Sequence, residues 1–362
     1  MKKILLIALL SLFAATTFAQ GINFEDLSLP EALAKARAEN KLVFVNCTTS
    51  WCGPCKVLAA EVFPRQEVGD YFNPRFVSIT LDMEKGDNPP LREKYGMIGY
   101  PTLLVLNPDG ELIHKMVIFP EVEMLLAQIP NTYDPDKAYG RLKRQFDEGR
   151  ADKEFLLNCV RAFVLAFEPD NARKALDKLE PMMSDEDRFS ADLWIVYTND
   201  RVSPRGSDNE NFLFDNYSRF CRYTGFSEVM KEITRRYNNH MRDIISNPNR
   251  VTPMQLNSMI ERFGNMGCPD WNTMRIYSLF AIAAQGDIDD IIIRTQKEYK
   301  SFRDAEDILF VYQTLTRKVM PMGTPEQKTE WKRLGELISD SVPDGEEKDK
   351  LNILIGMMKE NM

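Results

Sequence analysis

The chain has 362 residues, 44% of them hydrophobic, and a net charge of −8. That length accommodates two domains, and the apolar fraction is enough for a sizeable core. The acidic balance runs along the whole chain with no basic surplus anywhere, which argues against a nucleic-acid partner. Six cysteines are too few for a disulfide scaffold of this size.

The chain opens MKKILLIALLSLFAATTFAQ. Lys2 and Lys3, the apolar run Ile4 to Phe13 and the small-residue pattern Thr17-Phe18-Ala19 read as a secretory signal peptide cleaved near Ala19. The run is shorter than the roughly 20 apolar residues of a membrane span. No cysteine follows the cleavage point, so lipid attachment there is not expected, and no later stretch is long and apolar enough to insert in a membrane. The start looks bacterial, and the expected location is periplasmic or secreted.

Ser28-Leu29-Pro30-Glu31 starts a helix carried by ALAKARAEN, with Ser28 as cap and Pro30 in the first turn. LVFVNCT (42–48) reads as a buried central strand, GPCKVLAAEVF as a helix, and FVSITLDM (76–83) as a strand. NPPLREKYG is a short helix. TLLVLNPDGELIHKMVI gives two strands around the turn Asn107-Pro108-Asp109-Gly110, and PEVEMLLAQI closes with a helix. The order predicts a mixed sheet with flanking helices. Beyond residues 131–135 strand alternation stops and helical periodicity runs to the C-terminus, broken by an expected exposed loop at 199–211. A succession of helices can stack as an irregular helical-repeat array, although no fixed period recurs. The expected domains are 20–132 and a helical 133–362 of unassigned role.

TTSWCGPCKVL (48–58) places Cys52 and Cys55 between a strand and a helix. A structural zinc needs four ligands, and the chain offers one such pair and two histidines, His114 and His240, in different parts of the chain. The same shortage disfavours a Cys–His hydrolase. Electron transfer suits the pattern better. A sulfur at a helix N-terminus meets unpaired N–H groups and the helix dipole, which favour thiolate. A thiol of pKa about 8.5 is about 3% ionised at pH 7, and one lowered to about 7 is half ionised. Cys55, one turn further in, is shielded but close enough to attack a mixed disulfide on Cys52. Gly53 is expected to allow a tight turn, and Pro54 suits the first helical turn. Cys47, Cys159, Cys221 and Cys268 read as buried small hydrophobes, with a structural bridge in the second half left open by spacing.

Trp51-Cys52-Gly53-Pro54-Cys55-Lys56 resembles the thioredoxin active-site motif, and residues 22–130 resemble a thioredoxin domain throughout. KYGMIGYPTLLVLNPDGEL (94–112) resembles the family's second signature. The resemblance implies a thioredoxin fold, a redox-active Cys52–Cys55 disulfide with no other cofactor, and a cis-proline at Pro101 beside it. Tyr100 would then offer its backbone to an extended substrate. One position departs from the family. The buried carboxylate expected six residues before the first cysteine is Asn46, whose amide cannot accept a proton. Asn46 then either weakens proton transfer at Cys55 or simply satisfies polar groups.

The leading expectation is an exported thiol–disulfide reductase or isomerase, with Cys52 as nucleophile and Cys55 as resolving thiol. Its partners would be protein thiols and disulfides, with a membrane thiol relay as electron donor in an oxidising periplasm. The alternatives are a disulfide-donating oxidase, and a scaffold whose helical part recruits a partner.

Overall fold

Strand β2 (Leu42–Thr48) is apolar on both faces because it is covered on both, and the sheet grows around it. The computed structural model describes residues 21–117, 121–247, 252–266, 271–302 and 304–359. The leader sequence and Cys268 lie outside them. Backbone packing separates the chain into two compact units, Met1–Pro204 and Arg205–Met362.

In the first unit the sheet order is β1-β3-β2-β4-β5, with β1 (Phe24–Glu25), β3 (Phe76–Asp82), β4 (Thr102–Leu106) and β5 (Leu112–Met116). β1 and β2 run parallel to β3, while β4 is antiparallel to β2 and β5. This is the mixed sheet expected from the sequence. The two-residue β1 is too short to leave a period-2 signal. Strand alternation sends Val43, Val45 and Cys47 into the core layer under α1 (Leu29–Glu39). Phe44 joins the opposite layer with Leu58, Phe63, Phe72 and Leu125, beneath the helix that follows the two cysteines. Phe44 and Phe72 meet edge to face at 4.7 Å between centroids. α1 begins as expected at Ser28, whose backbone N–H donates to the Glu31 carboxylate at 2.8 Å.

The expected helix over 53–63 is split. α2 (Gly53–Val57) is followed by one π-helical turn (Leu58–Val62), where the Phe63 N–H reaches the Leu58 carbonyl at 2.9 Å. The Phe63 carbonyl accepts from the Ile22 N–H at 2.8 Å, and Gly21 lies so close that a Cβ would stand 2.0 Å from that oxygen. The N-terminal segment therefore ties down the far end of the helix that follows the two cysteines. α3 (Gln66–Phe72), α4 (Leu91–Lys94) and α5 (Val122–Gln128) complete the surroundings of the sheet.

The unit continues through α6 (Tyr139–Asp147), α7 (Lys153–Leu165), α8 (Pro169–Leu179) and α9 (Ala191–Thr198). α6 closes on β5: a Cβ on Gly140 would lie 1.9 Å from the Leu112 carbonyl oxygen, so only glycine admits that approach. The segment 199–211 is the expected exposed loop only in part. Asn199 folds it by accepting from the N–H groups of Arg201 and Val202, and Val202 and Ser203 are buried. Helix α10 (Asp208–Asp215) then starts within it, with Ser207 as cap.

The second unit is helical throughout its described residues: α10, α11 (Tyr217–Thr224), α12 (Phe226–Ser246), α13 (Pro253–Asn265), α14 (Trp271–Gln285), α15 (Ile288–Glu298), α16 (Ala305–Met322), α17 (Pro325–Ser341) and α18 (Glu346–Lys359). Sequence neighbours pack together, but α12 also packs on α16, so the unit is more closed than a nearest-neighbour array. Tyr312 and Trp331 stack at 4.6 Å, and the indole N–H is satisfied by Thr316 at 2.9 Å. Glu210 on α10 sits between Arg236 (3.0 Å) and His240 (3.1 Å) of α12, which accounts for a buried carboxylate so near an apparent loop. The two histidines are thus held in separate structural roles.

His114, on β5, is buried and accepts the Tyr139 N–H on Nδ1 at 3.2 Å. Burial pushes its pKa down to about 4. A group with a lowered folded-state value binds fewer protons folded than unfolded between about 4 and 6.5, so the stability it contributes is full above 6.5 and drains away as pH falls toward 4. The total is about 3 kcal/mol. We expect urea midpoints of the wild type to drop between pH 7.5 and 4.5 by clearly more than those of His114→Asn. Equal drops would show that His114 is not held neutral.

Candidate active site

Strand β2 ends at Thr48, and Cys52 is the N-cap of α2, with its sulfur accepting the Cys55 N–H at 3.2 Å. Cys52 and Cys55 form a disulfide with their Cα atoms 5.3 Å apart. A cap position gives the Cys52 sulfur a backbone donor, the feature that favours a thiolate once the bond is reduced. Exposure contributes less than the sequence suggests, because Cys52 is 2% exposed in the disulfide and Cys55 is buried too. Cys221 is the half-buried cysteine, a correction to its reading as a buried hydrophobe, although burial still raises its thiol pKa. Cys47 and Cys159 are buried free thiols; burial pushes Cys159 up to about 12 and Cys47 higher still.

Trp51, 66% exposed, donates its indole N–H to Glu84 at 2.8 Å and meets the Tyr100 ring edge to face at 6.2 Å. The Tyr100–Pro101 peptide bond is cis. Pro101 is buried, and the loop before it is pinned by Thr102, whose hydroxyl donates to the Gly99 carbonyl at 2.6 Å. Ile98 is exposed beside this loop. Trp51, adjacent to Cys52 in the chain and in contact with Tyr100, therefore brings apolar surface beside the disulfide. Glu84 carried no signal in the sequence, since its partner lies 33 positions away.

Asn46 shares the Phe44 face of β2, the face covered by α2, and is 4% exposed. Its amide donates to Thr80, its neighbour across the parallel β2–β3 pair, at 3.3 Å. Its carbonyl oxygen is buried without a protein partner. A pocket of ≈ 480 Å³ is lined by Asn46, Thr80, Cys55 and Lys56 together with Phe24 and Ala59. Beside Cys55 the pocket thus holds an amide and a hydroxyl, with Lys56 on its wall and space large enough for water. Cys47, one residue on, points to the opposite face and takes no part.

The tight-turn role expected of Gly53 is not what the backbone shows. Gly53 is not among the positive-φ glycines, and nothing lies within 4 Å of where its Cβ would be. Among the described residues no cluster of three or more His, Cys, Asp or Glu is arranged for a metal, and no helix is long and apolar enough to cross a membrane.

From these positions we expect reduced Cys52 to alkylate fastest at pH 7, Cys221 next, and Cys47 and Cys159 last. Mass-spectrometric time courses would read the order, and Cys221 outpacing Cys52 would remove the helix-cap argument. Gly53→Ala should leave stability unchanged or raise it by up to about 1 kcal/mol, because it restricts the unfolded chain without a native clash. A loss above about 1 kcal/mol in a thermal melt would reinstate a backbone requirement for glycine.

The Thioredoxin-like family profile matches residues 23–108. Thioredoxin from Bacillus subtilis is 36% identical over 91 residues, covering 25% of this chain and 81% of its own length. Protein disulfide-isomerase 1 from Dictyostelium discoideum is 35% identical over 30% of this chain, and the match takes in 29% of that longer protein. A Bacteroides thetaiotaomicron protein, solved in solution and provisionally assigned as a disulphide-isomerase, is 47% identical over 33% of this chain and 98% of its own, with a TM-score of 0.31. The shared stretch holds both cysteines and the cis-proline, and through it the chain belongs to the thioredoxin-like family.

Proposed function

We propose that this chain is an exported thiol–disulfide oxidoreductase acting on protein substrates as a reductase or isomerase. The observation that carries the reading is the Cys52–Cys55 disulfide at a helix N-cap, with Trp51 in contact with Tyr100 of the cis-proline loop. Export rests on the leader-like N-terminus, which ends before the first described residue.

In the proposed cycle the reduced Cys52 thiolate attacks a substrate disulfide. One substrate sulfur leaves as thiolate and the other forms a mixed disulfide with Cys52. Cys55 then loses its proton and attacks the Cys52 sulfur. The second substrate thiolate departs, the Cys52–Cys55 disulfide forms, and two electrons have passed to the substrate. An extended substrate would pair with the Tyr100 backbone and rest on Trp51 and Ile98. A thiol donor, proposed as a membrane relay, returns the centre to the dithiol. Asn46 cannot take the Cys55 proton, so we assign that proton to water in the pocket beside it.

The test is insulin reduction by dithiothreitol, which the protein should accelerate and Cys52→Ser should not. Cys55→Ser should accumulate mixed disulfides on Cys52, identifying substrates by mass. Asn46→Asp should speed release of the mixed disulfide above pH 7 by roughly tenfold or more, as an internal base would, with little effect on initial attack. It should also cost about 1–3 kcal/mol for burying a carboxyl group. An unchanged release rate in folded Asn46→Asp would make Asn46 a structural hydrogen-bonder only. No acceleration by a protein with both thiols titratable would sink the oxidoreductase reading.

A further inference from the structure

Lys115 is a lysine on the core side of a strand, and its side chain is 2% exposed. It lies opposite Leu104 in the β4–β5 pair, on the layer that contains Leu106, Tyr95 and Met97. Its ammonium donates to the Gly96 carbonyl at 3.1 Å and the Tyr95 carbonyl at 3.4 Å, and it stands 4.7 Å from the centre of the Tyr139 ring. Neutral carbonyls cannot balance a buried cation, and the counter-charge comes from Glu168 at 2.5 Å. Glu168 also accepts from the Tyr139 hydroxyl at 2.5 Å and the Asn171 amide at 2.7 Å. Burial raises its carboxyl pKa, and the Lys115 charge with these hydrogen bonds outweighs that, leaving it ionised below the usual range.

The position of Glu168 is itself fixed. Gly140 presses on the Leu112 carbonyl, Tyr139 N–H bonds His114, and Val117 N–H bonds the Leu165 carbonyl at 2.7 Å. Helices α6 and α7 are thereby fastened to β5 and the residue after it, and Glu168 lies just beyond α7, as the residue before α8. At the other end of the contact, the Tyr95 and Gly96 carbonyls close α4 and lead through Met97, Ile98 and Gly99 to the cis Tyr100–Pro101 bond.

We propose that Glu168, acting through Lys115, is a positioning residue for the cis-proline loop, so that the helices following the sheet set the protein-substrate surface beside Cys52. The chemistry of the sulfurs does not pass through Lys115, so the effect falls on docking of a polypeptide and not on thiol reactivity. This rests on the oxidoreductase reading, and the experiment separates the two.

The double variant Lys115→Met with Glu168→Leu removes both charges together and leaves neither one buried alone. In the full-length protein, backbone hydrogen exchange over Met97–Tyr100 should quicken by about tenfold, with the amides of α2 unchanged. The KM for insulin should rise by about tenfold at similar kcat, while reduction of a small aromatic disulfide by the dithiol form stays within about twofold. Unchanged exchange at 97–100, or an unchanged insulin KM, overturns the proposal. If the double variant does not fold, Lys115→Gln with Glu168→Gln, which also leaves no lone buried charge, carries the same measurements. A wild type inert toward insulin would sink the oxidoreductase reading, and the exchange comparison would still decide whether Glu168 holds the loop.

Discussion

Strand β2 is the constraint on which the site depends. It is bonded along both edges and covered on both faces, so its register against β3 and β4 has no room to slip. A one-residue shift would turn Asn46 into the Cys47 layer and carry the whole Phe44 cluster to the wrong side. Holding β2 fixes Thr48, and the short turn to Cys52 then sets where α2 begins. The antiparallel partner β4 starts at Thr102, directly after the cis-proline, and pairs Thr102 with Cys47. The two halves of the site are therefore neighbours because they flank the same end of one strand pair.

Charge is handled differently near the sulfurs and away from them. In the pocket beside Cys55, the paired positions Asn46 and Thr80 hold neutral groups, and one acceptor is left without a protein partner. Farther along the sheet Lys115 and Glu168 pay the desolvation of two ions together, and Glu210 does the same with Arg236 in the second unit. The ionised groups secure how helices sit on their supports. The described residues that line the pocket beside Cys55 include no carboxylate, so the proposed cycle passes the Cys55 proton to water.

Most of the sheet was legible because its strands carry strong local signals. LVFVNCT is β-branched and apolar, and the Asn-Pro-Asp-Gly turn separates β4 from β5 by composition alone. Cys52 and Cys55 stood out through their spacing and their place between a strand and a helix. What could not be read is long-range. Glu84 under Trp51, Thr80 beside Asn46 and Glu168 against Lys115 are partners 33, 34 and 53 positions apart. The end of segment 199–211 was illegible for a related reason: Glu210 lies in a helix and is buried against Arg236 and His240, which another helix brings. Cys221 shows the converse, an apolar-looking context that ends half-exposed.

The change from alternating strands and helices to helices alone, near residues 131–135, marks a change in secondary structure, while the first compact unit runs on to Pro204. Composition cannot distinguish a helix that packs on its own kind from one that completes a sheet. The distinguishing features here are single residues: a glycine where a backbone must approach β5, a lysine facing inward on a strand, and a glutamate just before a proline-started helix. Each is unremarkable alone, and an inward lysine would be a defect without the glutamate. Taken together they make one contact: Gly140 lets α6 reach β5, and Glu168 balances the Lys115 ammonium. Through these contacts α6 and α7 belong to the same compact unit as the Cys52–Cys55 disulfide.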